Sequence, residues 1–138
     1  MWTYEQANGR LSQDAALVAT GYSGMGQGKN NPSMQDVHAG CRWVDGKWQP
    51  VDGLTADDWG PLPKGKYTLN APVDTKTHGP FVMWFTPAPD NQMYGRSAFG
   101  MNGDSVVHPG KASEGCTIFQ RPIREQVWQS GDTALEVV

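Results

Sequence analysis

Glycine and proline interrupt this chain so often that its secondary-structure elements must be short. The 138 residues include 17 Gly and 10 Pro, and most apolar residues stand in short runs between Gly, Pro, Asn and Asp. Such runs favour turns and short strands over long helices. A chain of this length suits one domain, since two independent cores would both be small. The sequence therefore predicts one mainly β domain over residues 1–138.

Short apolar or alternating runs give the positions of the predicted strands. They are 2–5, 15–20, 66–69, 80–86, 97–101, 116–119 and 134–138. The run 80–86 is apolar on both faces, so we expect a central strand there. One short helix near the C-terminus is predicted over 121–129, because Pro122 stands in its first turn and Gly131 follows its end.

The stretch 40–59 is unusually rich in tryptophan. It holds three of the six Trp residues, among Asp and Gly residues typical of turns. The turn pair Asp45-Gly46 predicts a hairpin of strands 42–44 and 47–49. We interpret the stretch as an inserted hairpin. Its tryptophans either cover an edge of the core or form a lid or a partner-binding flap.

Charge and composition exclude several classes of function. The net charge is -3 at pH 7, and without a broad basic field we expect no nucleic-acid partner. No run approaches the ~18 apolar residues of a membrane span, and residues 1–6 do not resemble a secretory signal. The two cysteines, Cys41 and Cys116, do not make a disulfide framework, and we expect Cys116 to be free. No His or Cys pair has metal-ligand spacing, so no metal or cofactor is predicted.

The densest chemistry lies in the segment 99–116. Cys116 follows Ser113-Glu114-Gly115 at the start of a predicted strand, where Gly115 lets a substrate approach the backbone closely. The amide of Cys116 is suited to stabilise an oxyanion. A thiol of pKa ~8.5 needs a base or a positive neighbour, and His108 is the nearest histidine in sequence. On composition alone, a buried structural cysteine and a surface histidine remain the simpler interpretation.

Three pieces of this segment together resemble the active-site block of L,D-transpeptidase-type domains. They are Asn-Gly-Asp at 102–104, His-Pro-Gly at 108–110 and Ser-Glu-Gly-Cys at 113–116. The chain is most similar to the L,D-transpeptidase effectors of type VI secretion and their phage-linked relatives. The similarity extends over 2–11, 19–24, 28–32, 60–67, 95–97 and 124–138, and it leaves out the Trp-rich stretch.

The resemblance implies a β-rich, partly barrel-like fold and an antibacterial toxin that acts on peptidoglycan. The thiolate of Cys116 would attack the peptide stem between the diamino acid and the terminal D-alanine and form an acyl-enzyme. Water would resolve it, as in an L,D-carboxypeptidase, or a D-amino acid would, in an exchange reaction. The resemblance also implies an immunity protein and a secretion apparatus as partners, synthesis in a bacterial cytoplasm without a signal peptide, and action in the periplasm of a target cell.

One departure from the family pattern concerns the general base. We expect relatives to carry His at the position of Asn102, and an Asn side chain cannot accept a proton from a thiol. In the interpretation we favour, His108 is the working base. In the alternative, position 102 is the base position, and this chain is a catalytically impaired variant, natural or engineered, that binds peptidoglycan.

The polar residues around Cys116 each have a functional and a structural interpretation. Asp104 either orients the imidazole of His108 or forms an Asx turn. Ser113 either donates a hydrogen bond to the substrate carbonyl or caps the turn before Cys116.

Five side chains outside that segment are further candidates. Arg121 and Arg124 suit a stem carboxylate, although we expect Arg124 on a solvated helix face. Tyr22 lines the cleft or belongs to the core. His38 and His78 stand beside turn residues and are expected in solvent, so they matter only if the fold brings one of them to the thiol.

Overall fold

The computed structural model describes all residues from 1 to 138 and is mainly β, with 38% of the residues in strands and 11% in helices. The predicted mainly β class with one helix near the C-terminus is confirmed, and the sheets are mixed, with none closed into a barrel. None of the helices has the length and apolar character that a membrane crossing requires.

The helix and strands are short, as the glycine and proline content requires. The strands are β1 Trp2–Tyr4, β2 Arg10–Gln13, β3 Ala16–Thr20, β4 Tyr22–Ser23, β5 Val37–His38, β6 Cys41–Val44, β7 Lys47–Pro50, β8 Gly65–Leu69, β9 Val73–Thr75, β10 Gly79–Pro87, β11 Gly100–Asn102, β12 Thr117–Ile118 and β13 Ala134–Val137. The α-helix α1 is Arg121–Gln129, and two 3₁₀ turns lie at Gly26–Gly28 and Pro32–Met34.

A large sheet forms the body of the molecule. Its strand order is β3-β2-β1-β13-β8-β10-β11-β12-β4, and β9 pairs with β10 beside this path. The pairs β1/β13 and β11/β12 are parallel, and the others are antiparallel. The C-terminal strand β13 therefore lies inside the sheet, between β1 and β8, and joins the two ends of the chain.

The main core lies against this sheet and contains 14 buried apolar side chains. Trp2 is fully buried, and its indole N–H donates to Ser130 Oγ at 3.2 Å. In β10 the neighbours Val82 and Met83 are both fully buried although they point to opposite faces. Burial on both faces confirms that this strand is central, as its apolar pattern predicts.

One predicted strand is wrong in part. Strand β11 begins at Gly100, and the residues 97–99 before it belong to no strand. Tyr94 and Ala98 both adopt positive φ, at 56° and 63°. These left-handed residues end any regular ladder before β11 begins.

The predicted hairpin at 42–49 is present as β6 and β7. Trp43 lies opposite Trp48, and Asp45 and Gly46 both have positive φ, as a two-residue hairpin turn of type I′ requires. With β5 these strands form a separate three-stranded sheet. None of its tryptophans belongs to the main core, whereas Trp59, at the end of the Trp-rich stretch, pairs with Met25.

We expect that the hairpin tip can be removed without unfolding the domain. Replacing residues 42–49 with Asn-Gly joins Cys41 to its register partner Pro50 through a two-residue turn. The shorter loop costs little entropy, and most of the removed side chains are exposed. Thermal unfolding should give a melting temperature within a few degrees of the parent.

The matched control is Trp2→Ala, which empties a fully buried position and should cost ~3–5 kcal/mol. A shortened hairpin that destabilised the chain as much as Trp2→Ala would show that the hairpin tryptophans support the main core.

Candidate active site

Cys116 lines an open cavity of about 1040 Å³. Of the residues predicted for the site, Asn102, Asp104, Arg121 and Arg124 line the same cavity, whereas Tyr22, His108, Ser113 and Gly115 do not. The fold therefore brings part of the predicted set together.

Cys116 stands directly before β12, and the residue is 5% exposed. Its Sγ lies 3.9 Å from the carbonyl oxygen of Ala98. Burial raises the pKa of the thiol to about 11, and the negative charge of Glu114 adds to this rise. A hydrogen bond from the Gly100 backbone and the positive charge of Arg96 both lower the pKa, but they do not outweigh burial. The thiol is therefore protonated at neutral pH. The structure leaves both cysteines free.

Ser113 fixes the turn that carries Cys116. Its hydroxyl oxygen accepts from the amides of Gly24 at 2.8 Å and Gly115 at 3.1 Å, and its proton is donated to the carbonyl of Cys116. The residue is fully buried. The turn-capping interpretation of Ser113 therefore fits the structure, and donation to a substrate carbonyl does not.

Gly115 is required by the packing of this turn. Its φ is 123°, and a Cβ atom there would lie 2.4 Å from the ring of Phe99 and 2.6 Å from Nη2 of Arg96. Its carbonyl accepts from the hydroxyl of Ser23 at 2.9 Å. No larger residue would fit at position 115 without displacing the turn from which Cys116 extends.

Asn102 lies on the cysteine's side of the sheet. It pairs with Ile118 across the parallel strands β11 and β12, and Cys116 precedes Ile118 by two residues. Side chains two residues apart along a strand share a face, and Cys116 and Ile118 pack in one small apolar cluster. Asn102 is 3% exposed; its amide donates to the Gly103 carbonyl at 3.2 Å, and its Oδ1 accepts no hydrogen bond.

His108 lies in a surface turn and is exposed. Its backbone N–H donates to Ser105 Oγ at 2.9 Å and its carbonyl accepts from Lys111, whereas its imidazole forms no hydrogen bond and lies outside the cavity. The structure does not bring His108 to Cys116. Its favoured role as the base has no support in this geometry, whereas Asn102 lines the same cavity as the thiol.

Asp104 anchors the loop that carries His108 and does not contact its imidazole. The carboxylate accepts from the Tyr22 hydroxyl at 2.7 Å and from the amides of Ser105 and Gly110. Burial alone would raise the pKa of Asp104, but the hydrogen bonds from Tyr22, Gly110 and Ser105 outweigh it and lower the pKa. The carboxylate accepts from the amides of residues 105 and 110 and not from the one two residues on, so it braces the loop without forming the expected Asx turn. A role in orienting His108 has no support either.

Tyr22 belongs to the framework of the site. Its ring packs with Cys116 and Ile118, and its hydroxyl accepts from the amide of Ala112 at 3.0 Å. Burial and the hydrogen bond to Asp104 raise the pKa of this hydroxyl above its usual range. The core interpretation of Tyr22 therefore fits the structure.

The expectation that Arg124 lies on a solvated helix face is wrong. Arg124 is 3% exposed, and its guanidinium donates to the carbonyls of Phe81 at 3.0 Å, Phe119 at 2.6 Å and Pro80 at 3.1 Å. It stands three residues before the buried Val127, so both share the buried face of α1.

Arg121 retains free donors at the cavity. Its side chain is 54% exposed, with Nε 3.6 Å from Glu125 Oε1 and its guanidinium over the ring of Phe81. Because the Arg124 donors are already used, Arg121 is the better placed of the two arginines to bind a carboxylate.

Sequence reasoning missed two histidines of the cavity. His38 stacks on the ring of Trp48 at 4.4 Å and meets Trp59 edge-on at 4.5 Å, and His78 meets Trp84 edge-on. Both line the cavity and both are half-buried, so the expectation that they lie in solvent is wrong. Burial lowers the pKa of His38, with a further contribution from the charge of Arg96. For His38 the sequence signal was the neighbouring Trp-rich hairpin, and for His78 there was none.

The cavity wall is net positive although the chain is acidic. Four basic side chains line it, Arg96, Lys111, Arg121 and Arg124, against the acidic pair Asp104 and Glu114. Clefts lined by one sign of charge concentrate ligands of the opposite sign, so this cavity favours an anionic ligand. The structure contains no group of three or more His, Cys, Asp or Glu side chains that could hold a metal ion.

Comparisons of the chain with protein-family models, with curated proteins and with solved structures found no match. The resemblance to L,D-transpeptidase-type domains therefore stays a prediction.

We expect alkylation of Cys116 to increase steadily with pH. Only the thiolate reacts, and a pKa of about 11 leaves roughly one thiol in a thousand ionised at pH 8. In a Cys41→Ser background, the iodoacetamide rate followed by mass spectrometry should increase ~10-fold per pH unit between pH 7 and 10.

The control is His108→Ala, which should leave this profile unchanged because the imidazole lies outside the cavity. A rate that levels off near pH 7 and is lost in His108→Ala would restore His108 as the base.

Proposed function

We propose that this chain is a cysteine L,D-transpeptidase or L,D-carboxypeptidase domain that acts slowly on peptidoglycan stem peptides. The observation that carries the proposal is the position of Cys116 in the wall of an open, net-positive cavity, on a turn held by buried hydrogen bonds. The action would take place in the periplasm of a target cell, with an immunity protein and a secretion apparatus as partners.

The proposed reaction is an acyl transfer to sulfur. The Sγ of Cys116 attacks the carbonyl carbon of the diamino acid, and the amide C–N bond to the terminal D-alanine breaks. The thiol proton ends on the amine of the departing D-alanine. The resulting thioester is then resolved by water, which gives the tripeptide, or by the amine of another D-amino acid, which gives an exchanged stem.

The charges of the cavity suit such a stem. A tetrapeptide stem ends in a carboxylate beside the bond that is cleaved, and Arg121 and Lys111 supply exposed cationic groups in the cavity wall. Arg124 contributes its charge but has its donors engaged by carbonyls. We therefore assign carboxylate binding to Arg121 first.

The proposed slowness follows from position 102. Asn102 lines the same cavity as the thiol but cannot accept its proton, and burial keeps the thiol protonated. His38 lines the same cavity, but its ring is held between Trp48 and Trp59. A positioned base usually contributes ~10²–10⁴-fold to the rate, so a chain without one should turn over slowly.

A second candidate function is stem-peptide binding without turnover. Two observations favour it: the raised pKa of Cys116 and the unpartnered Oδ1 of the buried Asn102. An amide at this position is able to hydrogen-bond a bound peptide without activating the thiol. The domain would then recognise peptidoglycan and leave it intact.

The deciding experiment is digestion of purified tetrapeptide muropeptides, with mass spectrometry for the loss of one D-alanine. We expect slow release by the parent chain and a ~10²–10⁴-fold faster release by Asn102→His, which supplies the missing base. Cys116→Ala should abolish release in both backgrounds, because no other residue replaces the nucleophile.

Two controls separate the candidate functions. His108→Ala should release D-alanine at the parent rate, and calorimetry on Cys116→Ala measures binding alone. Binding without release by either the parent or a folded Asn102→His variant would favour the second function. An absence of both binding and release would contradict both proposals.

A further inference from the structure

Arg96 is a buried cation held entirely by backbone carbonyls. The residue is 3% exposed. Its Nη1 donates to the carbonyls of Gln35 and Pro61. Its Nη2 donates to the carbonyls of Gly60 and, at 3.2 Å, Glu114. These acceptors come from three separate segments of the chain. Its Nε donates to no atom, so the guanidinium plane is fixed by its four terminal N–H groups.

No carboxylate forms an ion pair with this charge, although the charge of Asp36 acts on it and raises its pKa. None of the ion pairs of the structure includes Arg96, and burial of an unpaired cation is costly. Burial lowers the pKa of Arg96 to about 10, which still leaves it charged at neutral pH. A charge retained at such cost needs an explanation beyond packing.

The guanidinium packs directly against the turn that carries the thiol. Nη2 binds the carbonyl of Glu114, and it would lie 2.6 Å from a Cβ atom on Gly115, the residue before Cys116. The ring of Phe99 covers the guanidinium, with 5.0 Å between Cζ and the ring centroid. The positive charge is thus held beside Cys116 and cannot rotate away.

We propose that Arg96 is a positioning residue for Cys116, which both fixes the Gly115–Cys116 turn and stabilises the thiolate by its charge. Two charged groups act on the thiol. The charge of Glu114 raises the pKa of Cys116, and the charge of Arg96 lowers it. Burial and then the charge of Arg96 lower the pKa of His38, which lines the same cavity. The inference rests on the proposed role of Cys116 as the nucleophile, but its test needs no peptidoglycan.

The test measures iodoacetamide alkylation of Cys116 at pH 9 in a Cys41→Ser background, together with the melting temperature. Arg96→Met removes the charge and the hydrogen bonds, and we expect the alkylation rate to decrease ~10-fold, which is one unit of thiol pKa. Arg96→Lys keeps the charge and loses most of the hydrogen bonds. We expect its rate to stay within ~3-fold of the parent while its melting temperature decreases.

A matched pair of variants at Glu114 isolates the charge effect. Glu114 binds Arg96 through its backbone carbonyl, so Glu114→Gln and Glu114→Lys change charge without removing that hydrogen bond. Adding Glu114→Lys to Arg96→Met should restore alkylation but not the melting temperature. Faster alkylation of Cys116 in Arg96→Met would show that Arg96 fixes the turn without stabilising the thiolate, and it would overturn the proposal.

If Arg96→Met does not fold, Arg96→Lys decides alone. A retained alkylation rate with a lower melting temperature supports the proposal, and a ~10-fold slower rate overturns it. Release of D-alanine by the parent chain is measured separately, so failure of this inference and failure of the proposed function are distinguishable.

Discussion

The hydrogen bonds that buried side chains give to the turn 113–116 hold the site together. A turn in the interior cannot leave its backbone polar groups to water, and each unpaired group would cost free energy. Ser113 binds the amide of Gly115 and the carbonyl of Cys116, while Ser23 binds the carbonyl of Gly115. The same Ser23 hydroxyl accepts from Leu62 at 2.8 Å. The position of Cys116 therefore depends on segments far from it in sequence, and the site exists only in the folded chain.

Two buried arginines extend this framework and shape the charge of the cavity. Arg96 and Arg124 each bind several carbonyls and no carboxylate. Carbonyl oxygens satisfy the donors of a guanidinium without cancelling its charge. A buried ion pair would have removed that charge from the cavity. This is how a chain of net charge -3 presents a net-positive cleft.

Much of the local structure could be predicted from the sequence, because it depends on neighbouring residues. The hairpin of β6 and β7 follows from Asp45-Gly46, and α1 spans the predicted 121–129. The order of the sheet could not be predicted, since the placement of β13 between β1 and β8 depends on contacts between the two ends of the chain. The charge of Arg124 predicts an exposed position, whereas its spacing of three residues from Val127 indicates the buried face of α1. The spacing is the better guide, because the guanidinium finds carbonyl partners in the interior.

The choice between His108 and position 102 shows why sequence separation is a poor measure of distance in this site. Strands β11 and β12 are parallel, and parallel neighbours need a crossover connection of roughly a dozen residues or more. Such a connection runs back along the strands, from the end of β11 to the start of β12. Because these strands are only three and two residues long, its two ends stay close together, while its middle lies outside the sheet. Asn102 and Cys116 stand at the two ends of this connection, and His108 stands near its middle. His108 is closer to Cys116 in sequence than Asn102 is, but it lies outside the cavity that Asn102 and Cys116 share. A general base for this thiol therefore has to come from position 102 or from another part of the fold.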